Sequence, residues 1–167
     1  CSATSILRAV LRLGVAGRGV AMVSSFGADS VVLLHLVAQA DPETPVLFLD
    51  TGKLFAETLV YQHQVADHLG LRNVTVLRPD ATQIAGADPY GALRLRDADA
   101  CCALRKTDVL ARAITGFDGW ITGRKRFQSQ SRATLDAFER DAASSRIKIN
   151  PLAHWTSADV ARHIATH

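Results

Sequence analysis

Short β-branched runs alternate with longer segments of helical periodicity along this chain, and this alternation restricts the possible fold more than any other feature. The short runs predict strands at Val20–Ser24, Val46–Leu49, Val74–Leu77, Trp120–Thr122 and, more weakly, Ile147–Ile149. The longer segments predict helices over Ser5–Leu13, Ser30–Gln39, Phe55–Leu69, Cys101–Ile114 and Ser157–Ala165, the last with Thr156 or Ser157 as N-cap. This order predicts an α/β fold, with a mostly parallel twisted sheet and helices on both of its faces.

The composition is that of one globular domain. The 167 residues are 48% apolar and 21% charged, which allows a single core and argues against disorder, so we expect one domain over residues 1–167. No apolar run approaches the roughly 20 residues of a membrane span, and arginines and glycines interrupt the N-terminal segment, unlike a secretory signal. Three cysteines are an odd number, which is not typical of a disulfide framework. We therefore expect a cytoplasmic protein without a membrane partner.

Ligands of parallel α/β sheets bind beyond the carboxyl ends of the strands, where the loops into the helices meet. Functional residues are therefore expected just after Ser24, Leu49, Leu77 and Thr122. The segment Asp80–Ala100 contains two glycines, a proline and several charges. We expect it to be a long excursion of the lid or binding-loop type rather than part of the core.

The first candidate binding segment is VSSFGADSVVLLHL, residues 23–36, where a buried strand leads through small residues into an apolar helix. Ser24, Ser25, Gly27 and Ser30 let the backbone approach a ligand closely, and free N–H groups at the helix start attract an anion. No Gly-Lys-Ser/Thr follows, so this is not a Walker A loop. The structural alternative is a βα turn that needs Gly27 only for its geometry.

The second segment is FLDTGKLFAET, residues 48–58, where a strand ends at Asp50 and Thr51 and Gly52 form the loop. Backbone groups at such a strand end can bond a base edge, and the hydroxyls of Thr51 and Thr58 can reach ribose or phosphate. In the alternative interpretation, Asp50 or Thr51 caps the next helix by accepting from its free N–H groups.

The third segment is DACCALRK, residues 99–106, with two adjacent cysteines followed by two cations. Thiolates bind soft metals and iron–sulfur clusters, and neighbouring thiolates at a strained turn can ligate two irons of one cubane. Arg105 and Lys106 would place positive charge beside an anionic cluster and an anionic substrate. The alternative is that Cys101 and Cys102 are two small buried residues in a helix.

The fourth segment is ITGRKRFQSQSR, residues 121–132, in which Gly123 permits close backbone approach and four basic residues follow a strand. Guanidinium groups contact phosphate or sulfate bidentately, and lysine adds a point charge. Residues 124–148 hold seven basic and three acidic side chains, which suits a small polyanion, a nucleic acid or a solvated basic face. The position after a strand favours an anion pocket over a nucleic-acid surface.

Together these segments resemble the sulfonucleotide reductases, which have the adenine nucleotide α-hydrolase-like fold. SSFGADS is similar to their modified PP-loop, LDTGKLFAET to their Asp-Thr-Gly…Phe-x-Glu-Thr segment, and CCALRK to the Cys-Cys-x-x-Arg-Lys element of the iron–sulfur subgroup. GRKRFQSQSR resembles their Gly-x-Arg-Arg-x-Gln-Ser-x-x-Arg motif, with Lys125 where arginine is usual, and KINPLAHWT at 148–156 resembles the stretch that closes their core. The matches run in order from about Val23 to Trp155.

The resemblance implies reduction of adenosine 5′-phosphosulfate to sulfite and AMP, with thioredoxin or glutaredoxin as electron donor, in sulfate assimilation. It implies a [4Fe–4S] cluster with Cys101 and Cys102 as two of its four ligands, and family members with this pair mostly use the substrate without a 3′-phosphate. The implied binding residues are Ser24, Ser25, Phe26, Gly27, Asp29 and Ser30 for the anion loop, Leu49, Thr51 and Gly52 for adenosine, and Lys106, Gly123, Arg124, Arg126, Gln128 and Arg132 for the phosphosulfate.

The sequence departs from the family pattern in one respect. The family's second Cys-x-x-Cys and its nucleophilic cysteine lie beyond the tryptophan-containing stretch, and neither occurs among the 167 residues. We therefore expect no catalytic nucleophile in this chain, and nucleotide binding without turnover. The alternatives are a reductase specific for the 3′-phosphorylated substrate, a PP-loop ATP pyrophosphatase or adenylyltransferase, and a binding-only nucleotide module. The sequence does not determine whether the protein is a homo-oligomer.

Overall fold

The computed structural model describes residues 2–13, 19–142 and 144–167, apart from the side chains at positions 13, 28, 29 and 131. Its centre is a six-stranded sheet with the strand order β3-β2-β1-β4-β6-β5. The strands are β1 (Val20–Ser24), β2 (Val46–Leu49), β3 (Val74–Leu77), β4 (Gly119–Ile121), β5 (Phe138–Arg140) and β6 (Ile147–Ile149). All neighbouring pairs are parallel except β5 and β6.

Eight α-helices accompany these strands in the described part of the chain. They are α1 (Ala3–Leu13), α2 (Ala28–Ala40), α3 (Ala56–Leu69), α4 (Ala81–Ala87), α5 (Leu93–Arg96), α6 (Ala98–Cys102), α7 (Asp108–Ile114) and α8 (Ser157–Thr166). A π-helical turn, Ala103–Thr107, joins α6 to α7, so the predicted Cys101–Ile114 helix is real but interrupted. Thr156 caps α8 by accepting from the backbone N–H of Asp159, as predicted.

Helices cover both faces of the sheet because successive strand residues point to opposite sides. On one face, α1, α2, α3 and α8 bury their apolar residues against Val20, Met22 and Phe48. On the other face, Ala21, Leu47 and Trp120 pack against Ile114 of α7. The predicted α/β architecture is therefore confirmed.

Segment Asp80–Ala100 contributes no residue to the hydrophobic core, as predicted, but it is largely helical, because it holds α4, α5 and the start of α6. Asp80 caps α4 through Thr82 and Gln83, and Asp97 caps α6 through Ala100. Each of these helices has seven residues or fewer and lacks a periodic apolar stripe, so local aspartate caps define them rather than hydrophobic periodicity.

The strand register places three of the four candidate binding segments along one edge of the sheet. Ser24 lies opposite Phe48 in the β1–β2 pair, and Leu49 lies opposite Leu77 in the β2–β3 pair. Because these strands are parallel, their carboxyl ends open on the same side, as do those of β4 and β6. Among the helices of the described ranges, none is long and apolar enough to cross a membrane.

Candidate functional site

The turn after β1 is held by its own serines. The Ser24 hydroxyl accepts a hydrogen bond from the backbone N–H of Phe26 at 3.1 Å, and the Ser25 and Ser30 hydroxyls lie 3.3 Å apart. Gly27 precedes α2 in an extended conformation, without a side-chain cap for the helix. The first N–H groups of α2 therefore lack a side-chain partner at Gly27, and they adjoin the exposed Ser25 hydroxyl, which suits an anion.

Phe26 occupies this turn in the left-handed region, with φ +54°. Its ring is buried and packs edge-on against Phe48 at a centroid distance of 5.3 Å. The strained backbone is thus stabilised by core packing, and strain of this kind concentrates at functional loops. Only the backbone of Phe26 faces the turn. The side chain of Asp29, predicted for the same loop, lies outside the described residues.

The loop after β2 is closed by two side-chain to backbone bonds. Asp50 accepts from the N–H of Gly52 at 2.9 Å and from Arg78 Nε at 3.0 Å, while Thr51 Oγ1 accepts from the N–H of Lys53 at 3.3 Å. Helix α3 begins after Phe55 with no side-chain cap. The alternative that Asp50 or Thr51 caps this helix was therefore wrong, because both residues shape the loop itself.

An open cavity of about 550 Å³ lies beside this loop, at the carboxyl ends of β2 and β3. Its polar lining contains three cations and two carboxylates, namely Lys53, Arg78, Arg105, Asp50 and Asp88. Two glycines, two alanines, two prolines and Ile84 form the rest of its wall. The cavity is large enough for a nucleoside-sized group, and the sequence analysis assigned only Gly52 of its lining residues to binding.

The cysteine-bearing helix meets the same loop through Arg105 in the π-helical turn. Arg105 is buried, and it donates to the Thr51 carbonyl at 2.8 Å and to the Asp88 carboxylate at 2.7 Å. The hydrogen bond from Arg105 and then that from the Leu93 N–H lower the pKa of Asp88 below its ordinary value. A π-helical turn often marks a functional site. Lys106, the predicted substrate ligand, is exposed beside it.

The two cysteines at the end of α6 fit only part of an iron–sulfur site. Cys101 is buried and Cys102 is exposed, and both are free thiols on consecutive helical residues. A cubane takes four thiolate ligands. In the part of the chain that the structure describes, no group of three or more histidine, cysteine or acidic side chains is arranged to hold a metal ion. Cys101 and Cys102 can therefore supply two ligands, and no complete set is formed by the described residues.

The arginines of the fourth segment are held by neighbouring acceptors. Arg124 pairs with Glu139 at 3.3 Å, and Arg126 donates to the Leu135 carbonyl at 2.7 Å. Arg132 donates to the Gln128 side chain at 2.6 Å, within two consecutive 3₁₀ turns. The three guanidinium groups are thus oriented by fixed acceptors in the segment that follows β4.

A buried amide that the sequence analysis missed supports this arginine-bearing loop. Asn150 is fully buried after β6, accepts from the Thr122 hydroxyl at 2.7 Å, and donates to Glu139 and to the Asp136 carbonyl at 2.9 Å each. Lys125 is also buried, and its ammonium donates to the Gly123 carbonyl at 3.3 Å. No local sequence signal distinguishes Asn150 from a surface asparagine, because its partners are distant along the chain.

The positive charge of residues 124–148 is partly neutralised within the fold. All three acids of this stretch pair with its own cations: Asp136 with Arg126, Glu139 with Arg124, and Asp141 with Lys148. Arg146 is turned to the carbonyls of Phe117 and Thr115. With seven basic and three acidic side chains, the stretch keeps an excess of four positive charges.

The parallel sheet, its strand order and the small-residue turn into α2 define an α/β nucleotide-binding fold of the PP-loop class. Solved structures share this fold, and two of them serve as examples. The phosphoadenylyl-sulfate reductase of Candida auris, solved with phosphate, superposes with a TM-score of 0.82 at 24% identity, covering 99% of this chain and 79% of that one. The NMN synthetase of Francisella tularensis has a TM-score of 0.61 at 14% identity and covers 95% of this chain and 66% of that one.

Within this class, the chain belongs to the phosphoadenosine phosphosulfate reductase domain family, which it matches over residues 19–167. It is 51% identical over 148 residues to a protein of Mesorhizobium japonicum named adenosine 5′-phosphosulfate reductase, covering 89% of this chain and 58% of that protein. A Chelativorans protein of the same name is 51% identical over 87% of this chain and 59% of its own length. The resemblance to this family is thus confirmed, and the chain spans a little under three fifths of these relatives.

Proposed function

We propose that this chain is the nucleotide-binding part of an adenosine 5′-phosphosulfate reductase. The observation that carries the proposal is the convergence of three predicted binding segments on one edge of the sheet, where the register aligns the ends of β1, β2 and β4. The relatives named adenosine 5′-phosphosulfate reductase support the choice of substrate. Reduction to sulfite and AMP, in sulfate assimilation, is the activity we assign to the whole protein.

The roles of the residues follow from their chemistry. The Ser24–Ser30 turn, with Gly27 and Asp29, would bind the anionic end of the nucleotide through backbone N–H groups and hydroxyls. Leu49, Thr51 and Gly52 would line the adenosine site. The phosphosulfate would be neutralised by the cations and polar groups that the arginine-bearing loop and the π-helical turn present, namely Lys106, Gly123, Arg124, Arg126, Gln128 and Arg132.

In the proposed reaction a cysteine thiolate attacks the sulfate sulfur, the sulfur–oxygen bond to AMP breaks, and an S-sulfocysteine forms. A dithiol protein of the thioredoxin or glutaredoxin type then releases sulfite and is oxidised to its disulfide. AMP leaves readily when cationic side chains neutralise the phosphosulfate as the bond breaks. This chain's own contribution is therefore to bind and orient the nucleotide and to stabilise the charge on the leaving AMP.

We also propose that Cys101 and Cys102 hold half of a [4Fe–4S] cluster. Their adjacency at the π-helical turn and the cations that follow them support this assignment. When bound, the cluster would supply a charged centre beside the phosphosulfate cations. Free rather than disulfide-bonded cysteines are consistent with action in the cytoplasm.

Calorimetry on anaerobically purified protein tests the proposal, with adenosine 5′-phosphosulfate, its 3′-phosphorylated analogue and AMP as ligands. We expect saturable binding that prefers the sulfated nucleotide without a 3′-phosphate. Arg132→Gln should weaken this binding about 10- to 100-fold, the loss expected for one charge-assisted contact. Arg140→Gln is the matched control, because β5 is antiparallel and Arg140 lies opposite Ile147, at the amino end of β6.

The two variants separate the outcomes. Equal losses in Arg132→Gln and Arg140→Gln would mean that net charge, rather than the proposed pocket, attracts the nucleotide. Tighter binding of the 3′-phosphorylated analogue would transfer the assignment to that substrate. Absence of binding by all three ligands would refute the proposed function.

A further inference from the structure

Arg105 joins three segments that are distant in the sequence. Arg105 lies in the π-helical turn next to the cysteine pair, and its Nη1 donates to the Thr51 carbonyl in the loop after β2. Its Nη2 donates to the carboxylate of Asp88, which lies between α4 and α5. The three segments have no strand pairing with one another, so this side chain is a direct link between them.

The partner carboxylate is itself fixed on the third segment. The side chain of Asp88 has no exposed surface, and its second oxygen accepts from the N–H of Leu93 at 2.9 Å, at the start of α5. The ion pair is therefore anchored on both sides, by the π-helical turn and by the turn from α4 to α5. Buried ion pairs of this kind add little net stability, but they fix one arrangement because breaking them strands a charge.

The loop after β2 fits closely against the guanidinium. Gly52 has φ +70°, and a Cβ at this position would lie 3.4 Å from the nearer arm of Arg105. A second, exposed contact reinforces the first, since Lys53 Nζ donates to the Gly91 carbonyl at 3.2 Å. The Thr51–Gly52 loop and the segment from Asp88 to Asp97 are thus held together from two directions.

The guanidinium is buried with one donor left over. The Nε of Arg105 has no hydrogen-bond partner among the described residues. A buried cation whose donors are not all satisfied is tolerated only while its remaining bonds are intact. The bonds to Asp88 and to the Thr51 carbonyl must therefore form together, and releasing either one favours release of the other.

We propose that Arg105 is a positioning residue that clamps the Thr51–Gly52 loop and the Asp88–Asp97 segment onto the cysteine-bearing helix. The clamp shields the Cys101 thiol, which lines the small cavity bounded by Lys53, Gly91, Arg94 and Leu95. It also links nucleotide binding at the Thr51–Gly52 loop to the exposure of this thiol, and this second part rests on the proposed function. By reciprocity, a nucleotide that stabilises the loop protects Cys101.

The alkylation rate of Cys101 in the reduced 167-residue chain, measured by mass spectrometry, tests the clamp without any nucleotide. Arg105→Lys keeps a charge for Asp88 but cannot also reach the Thr51 carbonyl, so we expect about tenfold faster alkylation, the ratio for one lost charge-assisted bond. Arg112→Lys on α7 is the matched control, because its guanidinium is exposed and bonds only locally. Equal rates in the two variants would overturn the clamp.

A second measurement on the wild-type chain does not depend on any variant folding. The Leu93 N–H is bonded to Asp88 and the Cys101 N–H to the Asp97 carbonyl. If the clamp opens as one unit, hydrogen exchange should give these two amides protection factors within about threefold of each other. Exchange of Leu93 that is more than about tenfold faster would show that its segment opens independently, which contradicts the clamp.

Repeating the alkylation assay with AMP separates this inference from the proposed function. Saturating AMP should slow alkylation of Cys101 in the wild type and in Arg112→Lys, but not in Arg105→Lys. Calorimetry gives the AMP affinity of each variant and so the concentration that saturates it. If AMP binds to the wild type but does not slow the alkylation of Cys101, the link between nucleotide binding and thiol exposure is refuted, while the proposed function remains intact. Absence of binding by AMP, by adenosine 5′-phosphosulfate and by its 3′-phosphorylated analogue would refute the proposed function, and the nucleotide-free rates would still decide the clamp.

Discussion

Replacing Asn150 tests whether its buried amide organises the arginine-bearing loop. Its side chain makes three hydrogen bonds of 2.7 to 2.9 Å, to Thr122, Glu139 and the Asp136 carbonyl. Asn150→Ala removes all three and leaves buried or half-buried partners unsatisfied. At about 1 kcal/mol for each bond, we expect the free energy of unfolding to fall by about 3 kcal/mol.

Urea and thermal denaturation measure this loss. For a domain of this size each kcal/mol lowers Tm by about 2–4 °C, so Asn150→Ala should melt roughly 6–12 °C below the wild type. Asn73→Ala is the matched control, since Asn73 is exposed and makes one side-chain bond, to the Glu43 carbonyl at 3.3 Å. We expect that variant to stay within about 0.5 kcal/mol of the wild type.

A result within error of Asn73→Ala would refute the reasoning, because it would mean that water replaces the three bonds of Asn150 at little cost. A loss of stability without any change in nucleotide affinity would confine Asn150 to a structural role. A loss of both would show that Glu139, and through it Arg124, depends on this amide for its position.

Gly119→Ala places a Cβ 2.6 Å from a backbone carbonyl oxygen of β6, so we expect the free energy of unfolding to fall by about 1–3 kcal/mol. Gly86 lies within α4 with open space around it, so Gly86→Ala should raise the free energy of unfolding by roughly 0.5–1 kcal/mol. Urea denaturation of both variants measures the two changes. Burial, followed by the positive charge of neighbouring histidines, lowers the pKa of His35 and His163 below the ordinary value of 6.5. Stability should therefore be lost as pH falls below about 6.5, and the loss should shrink in His163→Gln.

The histidine prediction follows from linkage, because the unfolded chain takes up these protons first when the pH is lowered. The two rings are hydrogen bonded at 2.8 Å between α2 and α8, and protonating both would place two charges at this contact. An equal drop in Tm between about pH 7.5 and 5.5 in the wild type and in His163→Gln would contradict this account. For the glycines, a Gly119→Ala variant as stable as the wild type would show that β4 and β6 separate easily.

The sequence predicted most of the fold because its main signals are local. Strands β1, β2, β3 and β6 were placed at their observed bounds, since each is a short run rich in β-branched and apolar residues. Strand β5 was missed, because Phe138–Arg140 is a three-residue edge strand with a largely exposed pattern. The short helices between β3 and the cysteine pair were also missed, since aspartate caps rather than hydrophobic periodicity define them.

The candidate binding segments could likewise be located from the sequence. Three of them combine a strand end with residues suited to anions or to adenosine, and the fourth combines two adjacent cysteines with two cations. The neighbouring cations Arg105 and Lys106 could not be told apart in this way. Only the tertiary structure shows that Arg105 is buried on Asp88 and the Thr51 carbonyl while Lys106 faces solvent. It also turns the ring of Phe26 into the core, away from the proposed ligand.

The sequence by itself thus determined the order of most elements, the family and the segments at the carboxyl ends of β1, β2 and β4. The tertiary structure decided which side chains of those segments are exposed and which are buried and paired. The physical reason is distance along the chain: Arg105 is 54 residues from Thr51, and Asn150 is 28 residues from Thr122. Whether such groups are buried and paired depends on how the segments pack, and local patterns carry no information about that packing.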